Sequence, residues 1–321
     1  MKKIITYACC LAVMLLSGSC IHQYPEENHT LVNLTLDVEI DSSLPVYQEV
    51  TRTPGLIQRF IVDVYQDGKV IAEKRIQTAR AGEISKGIYS IPVSLKLGAE
   101  EYTLAVWSDY VETEECSDLH FHTQDLAHIV LAEEYHPACN QREAFCGTAT
   151  ADLTPYAGEK QAEASLHIHL KRPQAKFRIV GTDAGDFLTR AKTRGGTSGE
   201  YRAKVSYEYY FPTGYNVTRN LLCESRVGIS FTAPCSIEED ENGECELASD
   251  FVLAGADASH VSLTLEILNG KNSVLSRVTG LQVPVKQGHL TIVKGDFLTT
   301  LMKPGISIDP GYDGEYNIII K

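Results

Sequence analysis

Apolar and polar residues alternate along most of the chain with a period of two. Leu34, Leu36 and Val38 are apolar, whereas the residues between them are polar or charged. Such alternation indicates a half-buried β-strand, because successive side chains of a strand point to opposite faces of the sheet. The same pattern predicts further strands in both halves of the chain. They are Phe60–Gln66, Lys69–Ile76, Ile88–Leu97, Glu101–Tyr110, Ser165–Leu170, Ala175–Val180, Tyr201–Phe211, Arg226–Phe231, Phe251–Leu253, Val261–Leu268, Val274–Val278, Leu290–Val293 and Tyr316–Ile320.

Turn signals separate these predicted strands. Asp67-Gly68 is typical of a type I′ turn, in which both central residues have positive φ, and it predicts a hairpin. Asn269-Gly270 marks a second hairpin, and Gly98-Ala99 marks a tight turn. Helical periodicity is weak, with a short helix predicted over Asp183–Lys192 and no clear pattern over Thr123–Glu134. Many short strands separated by turns indicate an all-β sandwich or barrel.

The length of the chain favours two domains. It has 321 residues, and a typical domain has about 100–200. Near the middle, Lys171-Arg172-Pro173 follows a predicted strand, and proline cannot donate a hydrogen bond to a sheet. We therefore predict an N-terminal β-sandwich over residues 30–170 and a C-terminal one over residues 171–321.

The N-terminus predicts an exported lipoprotein. Two lysines precede the apolar run Ile4–Leu16, which is too short to span a membrane and fits the core of a signal peptide. The following segment, Leu16–Cys20, resembles a bacterial lipobox, with its leucine one position further from the cysteine than is usual. We expect residues 1–19 to be the signal peptide and Cys20 to carry lipid. A plain secretory leader is the alternative.

The residues behind Cys20 are expected to form a lipidated tether over positions 20–29. Several acyl chains on one residue anchor a protein far more firmly than a single chain does. The acidic pair Glu26-Glu27 resembles the surface-export signal of Bacteroides-type lipoproteins, although a solvated linker has the same composition. The predicted location is the outer membrane, with display on the cell surface.

Six of the nine cysteines remain after the leader and the lipidated residue are set aside. An exported compartment permits disulfides, but six cysteines allow fifteen pairings. The candidate local bridge is Cys235–Cys245, which would enclose a very acidic loop. Free buried cysteines that pack as small apolar side chains are the alternative.

Charge and motifs exclude several classes of function. The 29 lysines and arginines stand against 42 aspartates and glutamates, and the net charge is −13. Because nucleic-acid binding needs clustered positive charge, we exclude DNA and RNA as partners. The sequence has no zincin, nucleophile-elbow or P-loop motif. We therefore expect neither catalytic residues nor a cofactor.

Two histidine pairs are candidate metal ligands. His120-x-His122 and His167-x-His169 each place two imidazoles on one face of a strand, a spacing that can bind zinc. Leu166 and Ile168 occupy the other face of the second pair, which favours a solvent-facing surface without metal. A nearby acidic ligand would strengthen the case for metal. The acidic loop between Cys235 and Cys245 is expected to be solvated.

An aromatic stripe is the candidate ligand surface. Tyr207, Tyr209 and Phe211 are expected on one face of a strand, with Tyr215 beyond the following turn. Such side chains can stack on sugars, but they also pack across strands in sandwiches. The single tryptophan, Trp107, lies inside a predicted strand and is expected in the core.

Several segments resemble those of a known group of proteins. Tyr102–Tyr110, with the sequence YTLAVWSDY, is similar to the tyrosine-to-WADY strand of Bacteroides-type fimbrillin-like lipoproteins. Other segments match in the same order, within a branch whose domain has no assigned activity. They are Arg142–Gly147, Arg172–Phe177, Phe211–Val217, Val283–Thr291 and Gly295–Thr299.

The resemblance implies two tandem transthyretin-like (Greek-key) β-sandwiches on a lipid anchor. In polymerising relatives, an extended strand from one subunit completes the sheet of the next. Here Asp313–Lys321 is expected to be an ordinary closing strand rather than a donor. Those relatives also lose an N-terminal strand by cleavage after an arginine, for which Arg52 and Arg80 are candidates in predicted loops.

The function expected from these observations is a non-enzymatic surface lipoprotein that acts as a fimbrial anchor, accessory or adhesion subunit. Its expected partners are the outer membrane, through lipid on Cys20, and fimbrial subunits, through strand exchange. The alternative is a solitary lipoprotein that binds glycans or host proteins through the Tyr207–Tyr215 region.

Overall fold

Strands account for most of the described chain. The computed structural model describes residues 31–40, 56–80, 88–112, 117–133, 135, 140–193, 200–238, 243–299 and 316–320. In these residues the strands are β1 (Val32–Ile40), β2 (Ile57–Gln66), β3 (Lys69–Arg80), β4 (Ile88–Leu97), β5 (Glu101–Val111), β6 (Phe121–His122), β7 (Ile129–Leu131), β8 (Phe145–Asp152), β9 (Ala162–Leu170), β10 (Gln174–Gly181), β11 (Tyr201–Tyr207), β12 (Phe211–Asn216), β13 (Leu221–Arg226), β14 (Ser230–Cys235), β15 (Cys245–Leu253), β16 (Ser259–Leu268), β17 (Val274–Val285), β18 (Leu290–Gly295) and β19 (Tyr316–Ile320). Helix α1 spans Ala184–Thr193, and two short 3₁₀ helices span Asn140–Arg142 and Thr154–Tyr156. The predicted all-β class is confirmed.

The strands form five sheets within the described residues. In the first half of the chain, the sheet β4-β1-β9 packs on the sheet β3-β2-β5-β8. In the second half, β15-β10-β18-β19 and β14-β11-β16-β17 enclose a further core. The fifth sheet has the order β13-β12-β7-β6 and therefore joins strands from both sides of residue 170. The division into two domains at that residue stays a prediction.

Strand β2 shows how the two halves share one apolar interior. Its residues Phe60 and Val62 pack in the first core, whereas Ile61 and Tyr65 on its other face pack in the second. Trp107 on the neighbouring strand β5 also belongs to the second core, where its ring meets Phe121 edge to face at 5.1 Å. Both faces of the central strands β2 and β5 are thus covered, which explains why β2 is apolar without strict alternation.

Locally determined turns follow the sequence prediction. Asp67 and Gly68 have φ of 51° and 73°, as a type I′ hairpin requires. The hairpin predicted at Asn269-Gly270 is also present between β16 and β17, and the left-handed residue of its turn is Asn272, with φ of 63°. The side chain of Asn269 accepts hydrogen bonds from the backbone N–H groups of Lys271 and Ser273. Helix α1 confirms the helix predicted over Asp183–Lys192.

Two predicted strands are wrong as single elements. Tyr201–Phe211 is divided into β11 and β12, with residues 208–210 between them in neither strand. Arg226–Phe231 is divided into β13 and β14 by a turn in which Gly228 has φ of 77°. In both places apolar residues continue through the break, so hydrophobic periodicity alone could not locate it.

Several expectations concern residues outside the described part of the chain. These are the signal peptide 1–19, Cys20, the tether 20–29, Arg52, Cys116, Cys139 and the tip of the acidic loop at 239–242. Among the described residues, no helix is both long and apolar enough to cross a membrane.

Candidate functional site

The N-terminal strand β1 occupies a groove between β4 and β9, which we call the β1 groove. It pairs in parallel with β9 and antiparallel with β4, so both of its backbone edges have partners. Four of its side chains point into the core and are at most 1% exposed: Val32, Leu34, Leu36 and Val38. Burying one such side chain contributes about 1.5–3 kcal/mol. The groove therefore offers backbone partners on two sides and apolar pockets at alternate positions.

The C-terminal strand β19 lies on the outer side of its sheet. It pairs in parallel with β18, from Thr291 opposite Tyr316 to Gly295 opposite Ile320. Strand β18 pairs in parallel with β10 on its other side. The strand predicted over Tyr316–Ile320 is therefore present and pairs within its own chain, and its role as a closing strand rather than a donor stays a prediction.

The predicted aromatic surface does not form as expected. Tyr207 and Tyr215 are 5% and 0% exposed, because both rings pack in the second core. Tyr209 lies in the break between β11 and β12 and is 68% exposed, and Tyr210 beside it is 75% exposed. The prediction that Tyr207, Tyr209 and Phe211 share one strand face is wrong, since Phe211 is buried in a different strand from Tyr207.

The buried tyrosine hydroxyls are held by polar partners inside the protein. Tyr207 donates to Asp250 over 2.7 Å, and Tyr135 donates to the same carboxylate oxygen. Burial, followed by the charge of Asp250, raises the pKa of Tyr207 well above its ordinary value. Tyr215 instead donates to Asn220 and accepts from the amide of Gln287 over 3.1 Å. These contacts assign Tyr207 and Tyr215 to the interior rather than to a ligand surface.

Asp250 belongs to an ion-pair cluster that connects the two halves of the chain. Arg142, 2% exposed, donates to the Asp250 carboxylate over 3.0 Å and to the carbonyl of Phe251 over 3.1 Å. The guanidinium also lies over the ring of Tyr135, at 4.5 Å from its centre. Removing one partner of such a buried pair leaves an uncompensated charge, which is strongly destabilising.

A second buried pair explains another of the resembling motifs. Glu143 accepts from Arg172 over 2.6 Å, and the Arg172 guanidinium lies 5.0 Å from the ring centre of Phe145. Burial raises the pKa of Glu143 and the charge of Arg172 opposes that rise. Arg142–Gly147 and Arg172–Phe177 therefore supply structural ion pairs. The sequence alone does not predict these contacts, because each partner is distant along the chain.

The cysteines of the predicted bridge are both buried. Cys235 ends β14 and Cys245 begins β15. Burial and the neighbouring Cys245 raise the pKa of Cys235 to about 11, which keeps its thiol protonated at neutral pH. The pair thus lies at the two ends of one loop inside the second core, and its disulfide stays a prediction. Cys146 is buried as well, and desolvation raises its pKa to about 12.

The two histidine pairs have different environments. His120 is buried, whereas its companion His122 is exposed. His167 and His169 are both on the outer face of β9, and Glu39 of β1 lies between them. Its Oε2 atom is 3.2 Å from Nε2 of His167 and 3.5 Å from Nδ1 of His169. The acidic residue that would strengthen a metal site is therefore Glu39, which lies on a strand more than a hundred residues away in the chain.

A polar cleft lies where the β2–β3 hairpin, the start of β5 and the β12–β13 turn meet. Its volume is about 660 Å³. The lining carries carboxylates, hydroxyls and a guanidinium, contributed by Asp67, Glu101, Thr103, Thr218 and Arg219. Such groups can hydrogen-bond a polyhydroxylated ligand.

Of the two candidate cleavage sites, only Arg80 lies in the described chain. It is the last residue of β3 and pairs with Ile57 rather than lying in a loop.

The protein is all-β, with two large apolar cores. Its buried ion pairs lie in the motifs Arg142–Gly147 and Arg172–Phe177. The chain belongs to a family of unknown function, DUF6562, whose model matches residues 25–321. The expectation that the chain belongs to a branch whose domain has no assigned activity is confirmed by this match. No curated protein matches the chain.

Solved structures similar to this chain include proteins from three bacterial species. An adhesin candidate from Bacteroides ovatus is 13% identical, with a TM-score of 0.42, over 77% of this chain and 75% of that one. The fimbrial anchor protein Mfa2 from Porphyromonas gingivalis is 11% identical, with a TM-score of 0.41, over 78% and 82% of the two chains. A fimbrial assembly protein from Parabacteroides distasonis is 13% identical, with a TM-score of 0.39, over 83% and 90%.

Proposed function

We propose that this protein is a non-enzymatic, lipid-anchored protein of the outer-membrane surface that acts as a fimbrial anchor, accessory or adhesion subunit. The ordered motifs between residues 102 and 299 support membership of the fimbrillin-like group. The apolar leader and the lipobox-like segment ending at Cys20 support export and lipidation.

The observation that carries the proposal is the β1 groove. An extended segment held between two strands gains its affinity from backbone hydrogen bonds, and alternate side-chain pockets set its register. The groove has both properties, with β4 and β9 as backbone partners and four buried apolar positions. In this chain its own strand fills the groove. Cleavage after Arg52 would empty the groove and also release the lipid expected on Cys20, whereas an uncleaved chain keeps both and fits a base or accessory position better than a shaft position.

Immuno-electron microscopy on intact, unpermeabilised cells tests the location and the role together. We expect label at the base or tip of fibres, and fewer fibres in a strain that lacks the gene. A strain carrying Cys20→Ser serves as the matched control for anchoring, because it should release the protein from the membrane. Label that appears only after cells are opened would contradict the proposal. So would an unchanged number of fibres in the deletion strain.

The polar cleft supports a second candidate function, the binding of a glycan. The cleft has room for a small saccharide and presents Asp67, Glu101 and Arg219 as hydrogen-bonding groups. A glycan array with the purified protein should give a ligand whose binding is weakened about tenfold by Arg219→Ala. Arg178→Ala is the matched control, because Arg178 is a half-exposed arginine outside the cleft. Equal binding by both variants would remove the cleft from consideration.

A further inference from the structure

The outer face of the β1–β9 pair carries two imidazoles and two carboxylates at neighbouring positions. In the parallel register of these strands, Asp37 lies beside His167 and Glu39 lies beside His169. The intervening residues Ile168 and Val38 are buried in the core, so the alternation of each strand directs the four polar side chains to one side. All three of Glu39, His167 and His169 are between 41% and 50% exposed.

The two distances that join Glu39 to the imidazoles match the spacing of ligands around zinc. Oε2 of Glu39 lies 3.2 Å from Nε2 of His167 and 3.5 Å from Nδ1 of His169. In a tetrahedral site with bonds of 2.0–2.1 Å, neighbouring donor atoms are about 3.3–3.4 Å apart. Once the exposed side chains rotate toward one another, a single cation would replace the contacts between each imidazole and the carboxylate without separating the strands.

We propose that Glu39, His167 and His169 bind a divalent first-row metal ion, with zinc as the preferred ion. Two imidazoles and one carboxylate form a donor set that suits zinc, and a water molecule completes the tetrahedron. In the described part of the chain no three such side chains converge on one point. Binding therefore requires rotation of the exposed side chains, and their outward position leaves room for it.

The bound ion would cross-link the N-terminal strand to β9. Glu39 is close to the C-terminal end of β1, and both histidines are on the neighbouring strand. The ion would thus hold β1 in the β1 groove from the solvent side, while the apolar side chains hold it from the core side. Because this role depends only on metal binding by the chain, it is independent of the fimbrial proposal.

Isothermal titration calorimetry with zinc chloride tests the site. The protein used is the full-length chain, purified in detergent and without a histidine tag. We expect one equivalent of zinc to bind, and Glu39→Gln, His167→Ala and His169→Ala each to weaken binding by about tenfold or more. The matched control is His128→Ala. His128 lies 3.3 Å from Glu224 and is 54% exposed, so this pair has similar spacing but only one imidazole.

A second measurement follows the predicted cross-link itself. Zinc should slow hydrogen exchange of the β1 amides in the wild-type protein and in His128→Ala, but not in Glu39→Gln. Zinc should also raise the melting temperature, because it binds the folded chain in preference to the unfolded one. The proposal is overturned if no stoichiometric zinc binds. It is also overturned if His128→Ala weakens binding as much as His167→Ala does, or if zinc leaves the exchange of β1 unchanged.

Discussion

The first and last described strands of the chain, β1 and β19, have similar pairing but different support. Strand β1 is parallel to β9, which follows it in the chain, and β19 is parallel to β18, which precedes it. Strand β1 also has β4 on its other side, whereas β19 is the outer strand of its sheet in the described part of the chain. Strand β1 has nine residues and β19 has five.

The difference is one of position in the sheet. Strand β1 lies between two partner strands, whereas β19 lies at the edge of its sheet in the described residues. Removing β1 would leave β4 and β9 without their common partner and would expose apolar pockets on the core side. Removing β19 would uncover the outer edge of β18 and would leave no gap between two strands of the described sheet. We therefore expect the two ends of the chain to respond very differently to the same kind of change.

Deletion of each strand gives the largest contrast. A chain that begins at residue 56 should fail to fold cooperatively, because the buried face of β1 contributes an amount comparable with the whole stability of a domain, about 5–15 kcal/mol. A chain that ends at residue 315 should keep its cooperative transition. Thermal unfolding followed by circular dichroism, with size-exclusion chromatography, measures both.

Adding the peptide of residues 31–40 to the chain that begins at residue 56 sharpens this test. If the β1 groove accepts a separate strand, the peptide should restore a monomeric, cooperatively folding protein. Cooperative folding of the shortened chain without the peptide would show that β1 is not integral to the core.

A single substitution on the inner face of β1 should have the next largest effect. Leu36 is fully buried, so Leu36→Ala should lower the free energy of unfolding by about 2–5 kcal/mol through lost burial and a residual cavity. Thr35→Ala is the matched control, because Thr35 is on the exposed face of the same strand and should change stability by less than about 0.5 kcal/mol. Urea titration measures both values. Equal effects at the two positions would contradict the assignment of Leu36 to the buried face of β1 and of Thr35 to its exposed face.

Loss of β19 from the otherwise complete chain should have a smaller effect. Its five backbone pairings contribute about 0.5–1.5 kcal/mol each, but ordering each residue costs about 1–2 kcal/mol. These contributions nearly cancel, so truncation after residue 315 should lower the free energy of unfolding by no more than about 2 kcal/mol. A loss as large as that of Leu36→Ala would show that β19 is as integral as β1.

The sequence predicted those features that depend on neighbours along the chain. Alternating Leu34, Leu36 and Val38 predicted β1, and Asp67-Gly68 predicted the turn between β2 and β3, since both features depend on local conformational preferences. The sequence did not indicate whether the side chains of Tyr207 and Tyr215 would be buried or exposed, because tyrosine occurs in both environments. Their placement depends on Asp250 and on the packing of distant strands.

For the same reason, the sequence predicted the two histidines of the candidate metal site but not its carboxylate. The spacing of His167 and His169 on one strand is visible in the sequence, and it places both imidazoles on one face. Their contact with Glu39 depends on the parallel pairing of β1 with β9, which joins residues far apart in the chain. A local pattern cannot specify such a pairing. The ion pair of Arg142 with Asp250 was missed by the same limitation.

The smallest expected effect concerns the outer face of β1 in the absence of metal. Glu39 is 46% exposed, and exposed pairs of charged groups contribute little because water screens them. Glu39→Gln should therefore change the free energy of unfolding by less than about 0.5 kcal/mol in the presence of EDTA. In excess zinc the wild-type protein should gain stability and Glu39→Gln should not, as measured by urea titration of both proteins. A large loss in EDTA would mean that Glu39 supports the strand directly, and the two faces of β1 would then contribute to the fold in the same way.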